Sequence, residues 1–241
     1  MQLIKCTTPE EAAQTAAQFV IDRVNAKPAA VLGLPTGGTP LGMYAELAKA
    51  VREKRVDMRA ITTFNLDEYC GLPVSDPQSY FTFMNTNFYL PCGLAPSQHH
   101  IPDGEAPDPD AEALAYDAAI RAAGGIDLQV LGIGHNGHIG FNEPGTPPDS
   151  RTHAVLLTDK TRQANARFFS TLADVPTRAI SMGIGTILES REILLLANGA
   201  DKAEILAAAL RGPVTVENPA SFLQNHPRLV VIVDAAAGER L

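Results

Sequence analysis

Residues 129–145 read QVLGIGHNGHIGFNEPG, and two incompatible chemistries share them. Gly132, Gly134 and Gly137 spell G-x-G-x-x-G behind an apolar run, as a dinucleotide-binding turn would, yet His138 and Glu143 follow at once. A dinucleotide site needs its third glycine to open a helix whose positive end takes the pyrophosphate, with an acidic residue about 20 positions later holding a ribose. Asp159 stands near that distance. Only fourteen residues separate Gly137 from Thr152, where the next strand is expected, and Pro144, Pro147 and Pro148 are among them. No crossover helix fits, so the stretch is read as a strand running into a catalytic loop. His135, His138 and Glu143 also raise a metal site. A catalytic zinc takes three rigidly held ligands, whereas these lie on a Gly-rich loop with no fourth partner evident; His135 is read as a solvated loop residue.

Outward from this loop, strands and helices alternate. Pro9, Glu10 and Glu11 after Thr8 signal a helix start, and Ala13, Ala16, Ala17, Val20 and Val24 recur at helical spacing behind them. AAVLGL (29–34) is a short apolar run ended by Pro35, and 41–53 is helical again. The same reading predicts strands over 60–66, 126–133, 152–158, 192–197 and 228–234, and helices over 79–89, 110–123 and 201–210. Continuous apolar strands alternating with helices predict an α/β fold in three layers, doubly wound, with a mainly parallel sheet and helices on both faces. Ligands in such sheets gather at the carboxyl ends of the strands. PTGGTP (35–40), DEYCGLP (67–73) and the opening loop each follow a predicted strand.

The chain has 241 residues, 45% of them hydrophobic, enough for one sizeable core, and the whole of 1–241 is expected to be a single domain. A net charge of −8 without any basic run argues against a nucleic-acid surface. No apolar run approaches the roughly 18 residues that span a bilayer, so no membrane partner and a cytoplasmic location are expected. Cys6, Cys70 and Cys92 are too few and too irregularly spaced for a disulfide framework or a cysteine zinc site, and are read as reduced thiols.

PTGGTP lacks the lysine of a triphosphate P-loop. Gly37 and Gly38 can still turn their N–H groups inward ahead of a helix, and the Thr36 and Thr39 hydroxyls add donors, which makes an anion site or an ordinary strand-to-helix turn. Asp67 and Glu68 come directly after the strand ending at Leu66, where a partly buried carboxylate serves as a general base or a surface one merely caps a turn. An anion loop, a carboxylate and a His–Glu pair together point to proton transfer on a small phosphorylated substrate.

LGLPTGGTPLGMY, TFNLDEYCGLP, SYFTFMNTNF, GIGHNGHIGFNEPG, SRTHAVLLTDKTRQANARFF and AISMGIGTIL, in this order, resemble the glucosamine-6-phosphate deaminase (isomerising) family nearly end to end. Chain length and the Asn of the catalytic loop are similar to the short bacterial form. The resemblance implies a Rossmann-like fold of the sugar-phosphate isomerase/deaminase type. It also implies conversion of D-glucosamine 6-phosphate and water to D-fructose 6-phosphate and ammonia, without metal or organic cofactor. Carried over, His138 is the acid/base of ring opening, Glu143 orients its imidazole, and Asp67 moves the proton from carbon 2 to carbon 1. Asn136 replaces the Asp of longer members; it can hold His138 by hydrogen bonding but brings no charge, so ring opening leans on Glu143. Thr36, Gly37, Gly38 and Thr39, with Arg167 and Lys202, match positions that meet the phosphate.

Residues 157–177 resemble the family's mobile lid. Longer members bind an N-acetylated activator through an Arg and a Lys just after SRT, where this chain has His153 and Val155, so strong cooperative activation is not expected. A monomer or small homo-oligomer follows. Two alternatives stay open: a 6-phosphogluconolactonase-like hydrolase, whose chemistry does not call for Asp67, and a non-catalytic sugar-phosphate sensor, which needs no proton relay.

Overall fold

Every residue of Ile193–Ala197 and Leu229–Val233 is buried, and successive side chains enter different cores, as happens only in strands covered on both faces. Ile193 and Leu195 pack with Val231 and Val233; Leu194 and Leu196 pack with Val230 and Ile232 on the opposite side. The computed structural model describes the backbone of residues 1–241 and the side chains of all but Lys160, Ala164 and Phe168. Its strands are β1 (Gln2–Lys5), β2 (Val31–Leu34), β3 (Thr62–Asn65), β4 (Asp67–Tyr69), β5 (His99–His100), β6 (Leu128–Leu131), β7 (His153–Leu156), β8 (Arg178–Ser181), β9 (Ile193–Ala197) and β10 (Leu229–Val233). Its α-helices are α1 (Pro9–Ala26), α2 (Leu41–Arg52), α3 (Tyr80–Met84), α4 (Leu90–Cys92), α5 (Pro109–Ala122), α6 (Asp159–Asn165), α7 (Ile184–Leu188) and α8 (Ala203–Arg211).

A seven-stranded sheet runs in the order β1-β10-β9-β6-β2-β3-β5, parallel at each pairing. Side chains of α1, α2 and α4 fill the core on one face, and those of α5, α7 and α8 fill it on the other, giving the three layers expected. From β2 the chain steps outward to β3 and β5, then returns to the other flank of β2 as β6. The loops leaving β2 and β6 therefore diverge and open a crevice, the switch point at which such sheets bind ligands. The two strands meet closely: Gly33 pairs with Gln129, and a Cβ on Gly33 would lie 2.0 Å from the Gln129 side-chain oxygen. Only glycine leaves room there for the buried glutamine amide.

The sequence reading needs correction in four places. The expected strand 152–158 forms as β7 but pairs antiparallel with β8, and β8 with β4, in a separate three-stranded sheet. The expected helix 79–89 is α3 followed by a wider π turn over Asn85–Tyr89 before α4. The helix expected from 201 begins as a 3-10 turn, Ala200–Lys202, and becomes α-helical at Ala203. β1, β4, β5, β8, α4, α6 and α7 were not expected. Among the described residues no helix is long and apolar enough to cross a membrane.

Candidate active site

The carboxyl end of β3 is where the two sheets part, and one residue is the pivot. Leu66 donates its N–H to Leu34 O of the large sheet (3.0 Å) and accepts through its carbonyl from Met182 N (2.7 Å) beside the small one. Asp67 is thus the first residue of a strand, β4, and not part of a loop as its sequence suggests. Strand alternation then separates the neighbouring acids. Glu68 points toward α3 and accepts three backbone N–H groups, from Tyr69, Tyr80 and Phe81, at 2.8–2.9 Å. Asp67 lines the cleft, 6% exposed; burial first, and the adjacent Glu68 charge second, raise its carboxyl to about 8.

Two contacts fasten the opening loop beside Asp67. The Phe141 N–H donates to Ser181 Oγ at 3.0 Å, and Ser181 is the register partner of Asp67. The buried Asn142 amide donates to Ile139 O (2.7 Å) and Met182 O (2.8 Å). The β6 loop is therefore pinned to β8, next to Asp67. Gly134, one of the three glycines that mimicked a nucleotide fingerprint, has another task. A Cβ there would lie 2.3 Å from the His138 ring, so the imidazole occupies the space that any other residue would fill.

His138 Nδ1 stands 3.6 Å from Glu143 Oε1, just beyond hydrogen-bond reach. The same Oε1 accepts from the Thr161 hydroxyl at 2.6 Å, and Oε2 accepts from Asn136 Nδ2 at 2.6 Å. Burial by itself would raise the Glu143 carboxyl, but the contacts from His138, Thr161 and Asn136 outweigh it and hold the group down at about 2. Asn136 also accepts from the His138 backbone N–H at 3.3 Å. It therefore serves the pair through the main chain and Glu143 rather than through the imidazole.

The loop Thr36–Thr39 lines the same cleft. Gly37 has φ +95°, a left-handed conformation suited to glycine, and the loop leads into the N-terminus of the twelve-residue α2. Pro35 O accepts from the buried Tyr44 hydroxyl at 2.5 Å, which ties the loop's start to the helix it precedes. Lys202, largely buried, reaches the cleft from the turn after β9; burial lowers its ammonium and the Asp201 carboxylate 3.8 Å away partly offsets this.

All these residues except Glu143 line one cleft of about 340 Å³: Thr36, Gly37, Gly38, Thr39, Asp67, Asn136, His138, Arg167 and Lys202. Glu143 stands behind His138. Tyr80, Thr161 and Asn165 also line it and were not singled out by the sequence reading. Asn165 Nδ2 donates to the Tyr69 hydroxyl at 2.8 Å. His135 reaches the rim, where its Nε2 lies 2.8 Å from Asp201 Oδ2, while His138 turns to Glu143. The two histidines diverge, and among the described residues no group of three His, Cys, Asp or Glu side chains could hold a metal ion.

A cleft that brings together two cationic side chains, a loop at a helix N-terminus, a buried carboxyl raised to about 8 and an imidazole beside a carboxylate belongs to enzymes that move protons on small anionic substrates. The family model for glucosamine-6-phosphate isomerases/6-phosphogluconolactonase matches residues 7–231, and the chain belongs to that family. It is 49% identical to the glucosamine-6-phosphate deaminase of Bacillus velezensis over 99% of this chain and all of the relative. It is 47% identical to glucosamine-6-phosphate deaminase 1 of Bacillus subtilis over 98% of both chains. A solved structure of a monomeric glucosamine-6-phosphate deaminase superposes with TM-score 0.97 at 46% identity, covering both chains fully. The 6-phosphogluconolactonase of Trypanosoma cruzi superposes at 0.78 with 20% identity, covering 100% of this chain and 96% of that one, and shares the fold.

Proposed function

We infer that this chain is a glucosamine-6-phosphate deaminase, converting D-glucosamine 6-phosphate and water to D-fructose 6-phosphate and ammonia. The observation that carries the reading is the buried, cleft-facing Asp67 in the same cavity as the His138–Glu143 pair, on a chain nearly half identical to named deaminases from end to end. A lactonase would have no use for a carboxyl prepared to take a proton from carbon.

The phosphate is held by Thr36, Gly37, Gly38 and Thr39 at the head of α2, with Lys202 as a point charge and Arg167 as a planar donor. His138, its Nδ1–H directed at Glu143, takes the proton of the anomeric hydroxyl through Nε2 and returns one to the ring oxygen as the carbon 1–ring oxygen bond breaks. Asp67, ionised, then removes the proton from carbon 2 of the aldehyde, giving the enolamine, and delivers it to carbon 1. In the same step the substrate's ammonium gives a proton to the aldehyde oxygen, which becomes the carbon 1 hydroxyl, and the carbon 2 iminium that results adds water and expels ammonia, leaving the ketose. Residues 157–177 reach the cleft through Thr161, Asn165 and Arg167 and act as a lid that keeps water from the enolamine. We read residues 1–241 as one catalytic domain, working as a monomer or small homo-oligomer. A charged sugar phosphate does not cross a bilayer, which places the reaction in the cytoplasm.

The test is ammonia release from glucosamine 6-phosphate, measured beside hydrolysis of 6-phosphogluconolactone. Ammonia and fructose 6-phosphate in equal amounts are expected. D67N should keep substrate affinity within about threefold and lose 10³-fold or more in kcat, within the range of acid–base catalysis of about 10²–10⁴ or beyond it. Lactone hydrolysis without ammonia, or tight binding with no turnover of either compound by the unaltered chain, would replace the deaminase with a hydrolase or a sensor.

A further inference from the structure

Glu143 has one contact that its own loop does not supply. Asn136, seven residues back on the same loop, holds Oε2, but Oε1 is held by Thr161, on α6. This is the oxygen that faces His138 Nδ1, so the helix crossing the cleft touches the acid–base pair from behind. The second polar tether of α6, Asn165 to the Tyr69 hydroxyl, ends on β4, two residues past Asp67. Two hydrogen bonds from described side chains of α6 thus reach the proton-transfer machinery, one at Glu143 and one at the tyrosine two residues past Asp67, while Arg162 donates to Leu172 O and Val175 O.

We propose that Thr161 is a positioning residue for ring opening: its hydroxyl fixes the Glu143 carboxylate so that Oε1 presents to His138 Nδ1 only while α6 lies over the cleft. The proposal rests on the deaminase reading and adds a link between helix position and imidazole orientation. A carboxylate held by Asn136 alone keeps one fixed oxygen and is free to turn about the bond to its second. Held by Asn136 and Thr161 together, both oxygens are fixed, and the 3.6 Å gap to Nδ1 closes with a small rotation of the ring. Proton abstraction by His138 then waits on the docking of α6, which is also what excludes water from the reactive intermediate. The hydroxyl is the active feature: serine retains it, valine has the same shape and lacks it.

The test compares T161S and T161V with the unaltered enzyme, after ammonia release by the latter has established the deaminase reading separately. T161V is expected to lose about tenfold or more in kcat with KM changed less than about twofold, as for an interaction that matters in the transition state rather than in substrate binding. T161S is expected to recover kcat to within about threefold. In an E143Q background the T161V substitution should cost less than about threefold further, since the group it positions is already altered. T161V with full kcat, a loss confined to KM, which would make Thr161 a substrate contact, failure of serine to restore activity, or full multiplicative loss on E143Q would each overturn the proposal.

Discussion

The most unusual single group in the molecule is the Asp67 carboxyl, buried and raised to about 8. In the unfolded chain an aspartate ionises near about 3.9. Between these values the folded protein keeps a proton that the unfolded chain has lost, so stability falls as pH rises from about 4 to about 8 and is level above. D67N carries no such penalty. Its melting temperature should equal that of the parent near pH 4 and exceed it by a growing margin toward pH 8, equivalent to on the order of a few kcal/mol; a constant difference across the range would refute the burial argument. The same property shapes turnover. Glu143, held at about 2, is ionised throughout, so the acid limb of kcat/KM belongs to Asp67 in the empty site and should fall near pH 8. The substrate's ammonium, arriving beside Asp67, favours the carboxylate, and the limb of kcat should lie at lower pH. Coincident limbs in the two profiles would show that substrate charge does not reach Asp67.

At the scale of elements, the glycines of the β6 loop are decisive. G134A places a methyl 2.3 Å from the His138 ring atoms and should swing the imidazole away from Glu143. Activity is expected to fall at least about tenfold with phosphate affinity little changed, checked by kcat and by binding of a hexitol 6-phosphate. The sequence marked this stretch as a loop and not a nucleotide-binding turn because three prolines left no room for a crossover helix, and it marked β9 and β10 because ILLLA and LVVIV are continuous apolar runs. β4 and β8 were hidden: DEY and RAIS have little β signature, β8 lies between β7 and β4, and β4 becomes a strand only by pairing with β8 after more than a hundred residues of intervening chain. That pairing decides which of the adjacent acids faces the cleft. Thr161 was equally hidden, because its partner lies eighteen residues away on a different element and no periodicity links the two. The turn at Thr36–Thr39, by contrast, was legible as a strand-to-helix turn from glycine and threonine placed between an apolar run and a helical one.

Across the whole molecule, the returns of the chain between β5 and β6 and between β7 and β8 bring residues from both halves of the sequence to one crevice. His153 faces its own main chain, Nδ1 lying 2.8 Å from Arg151 O, and Val155 packs against the small cluster of Tyr69, Phe141, Leu157 and Ala179. Neither position presents a lysine or arginine to an anionic effector. Saturation by glucosamine 6-phosphate is therefore expected to be hyperbolic and unmoved by N-acetylglucosamine 6-phosphate; a sigmoidal curve, or a leftward shift on adding that compound, would show an effector site elsewhere. One feature of the small sheet reaches further. The Leu157 N–H donates to Thr177 O at 2.9 Å, continuing the β7–β8 ladder by one rung, so the strap of chain between them departs and re-enters through a single closed gate. Anything the strap does is a swing about that gatepost, while Asp67, on the far strand of the small sheet, is held by the fixed register of β4 with β8. Natural variants that lengthen, shorten or restiffen the proposed flap would retune how fast substrate comes and goes and, through Thr161, the imidazole pair, while Asp67 stays where β4 holds it.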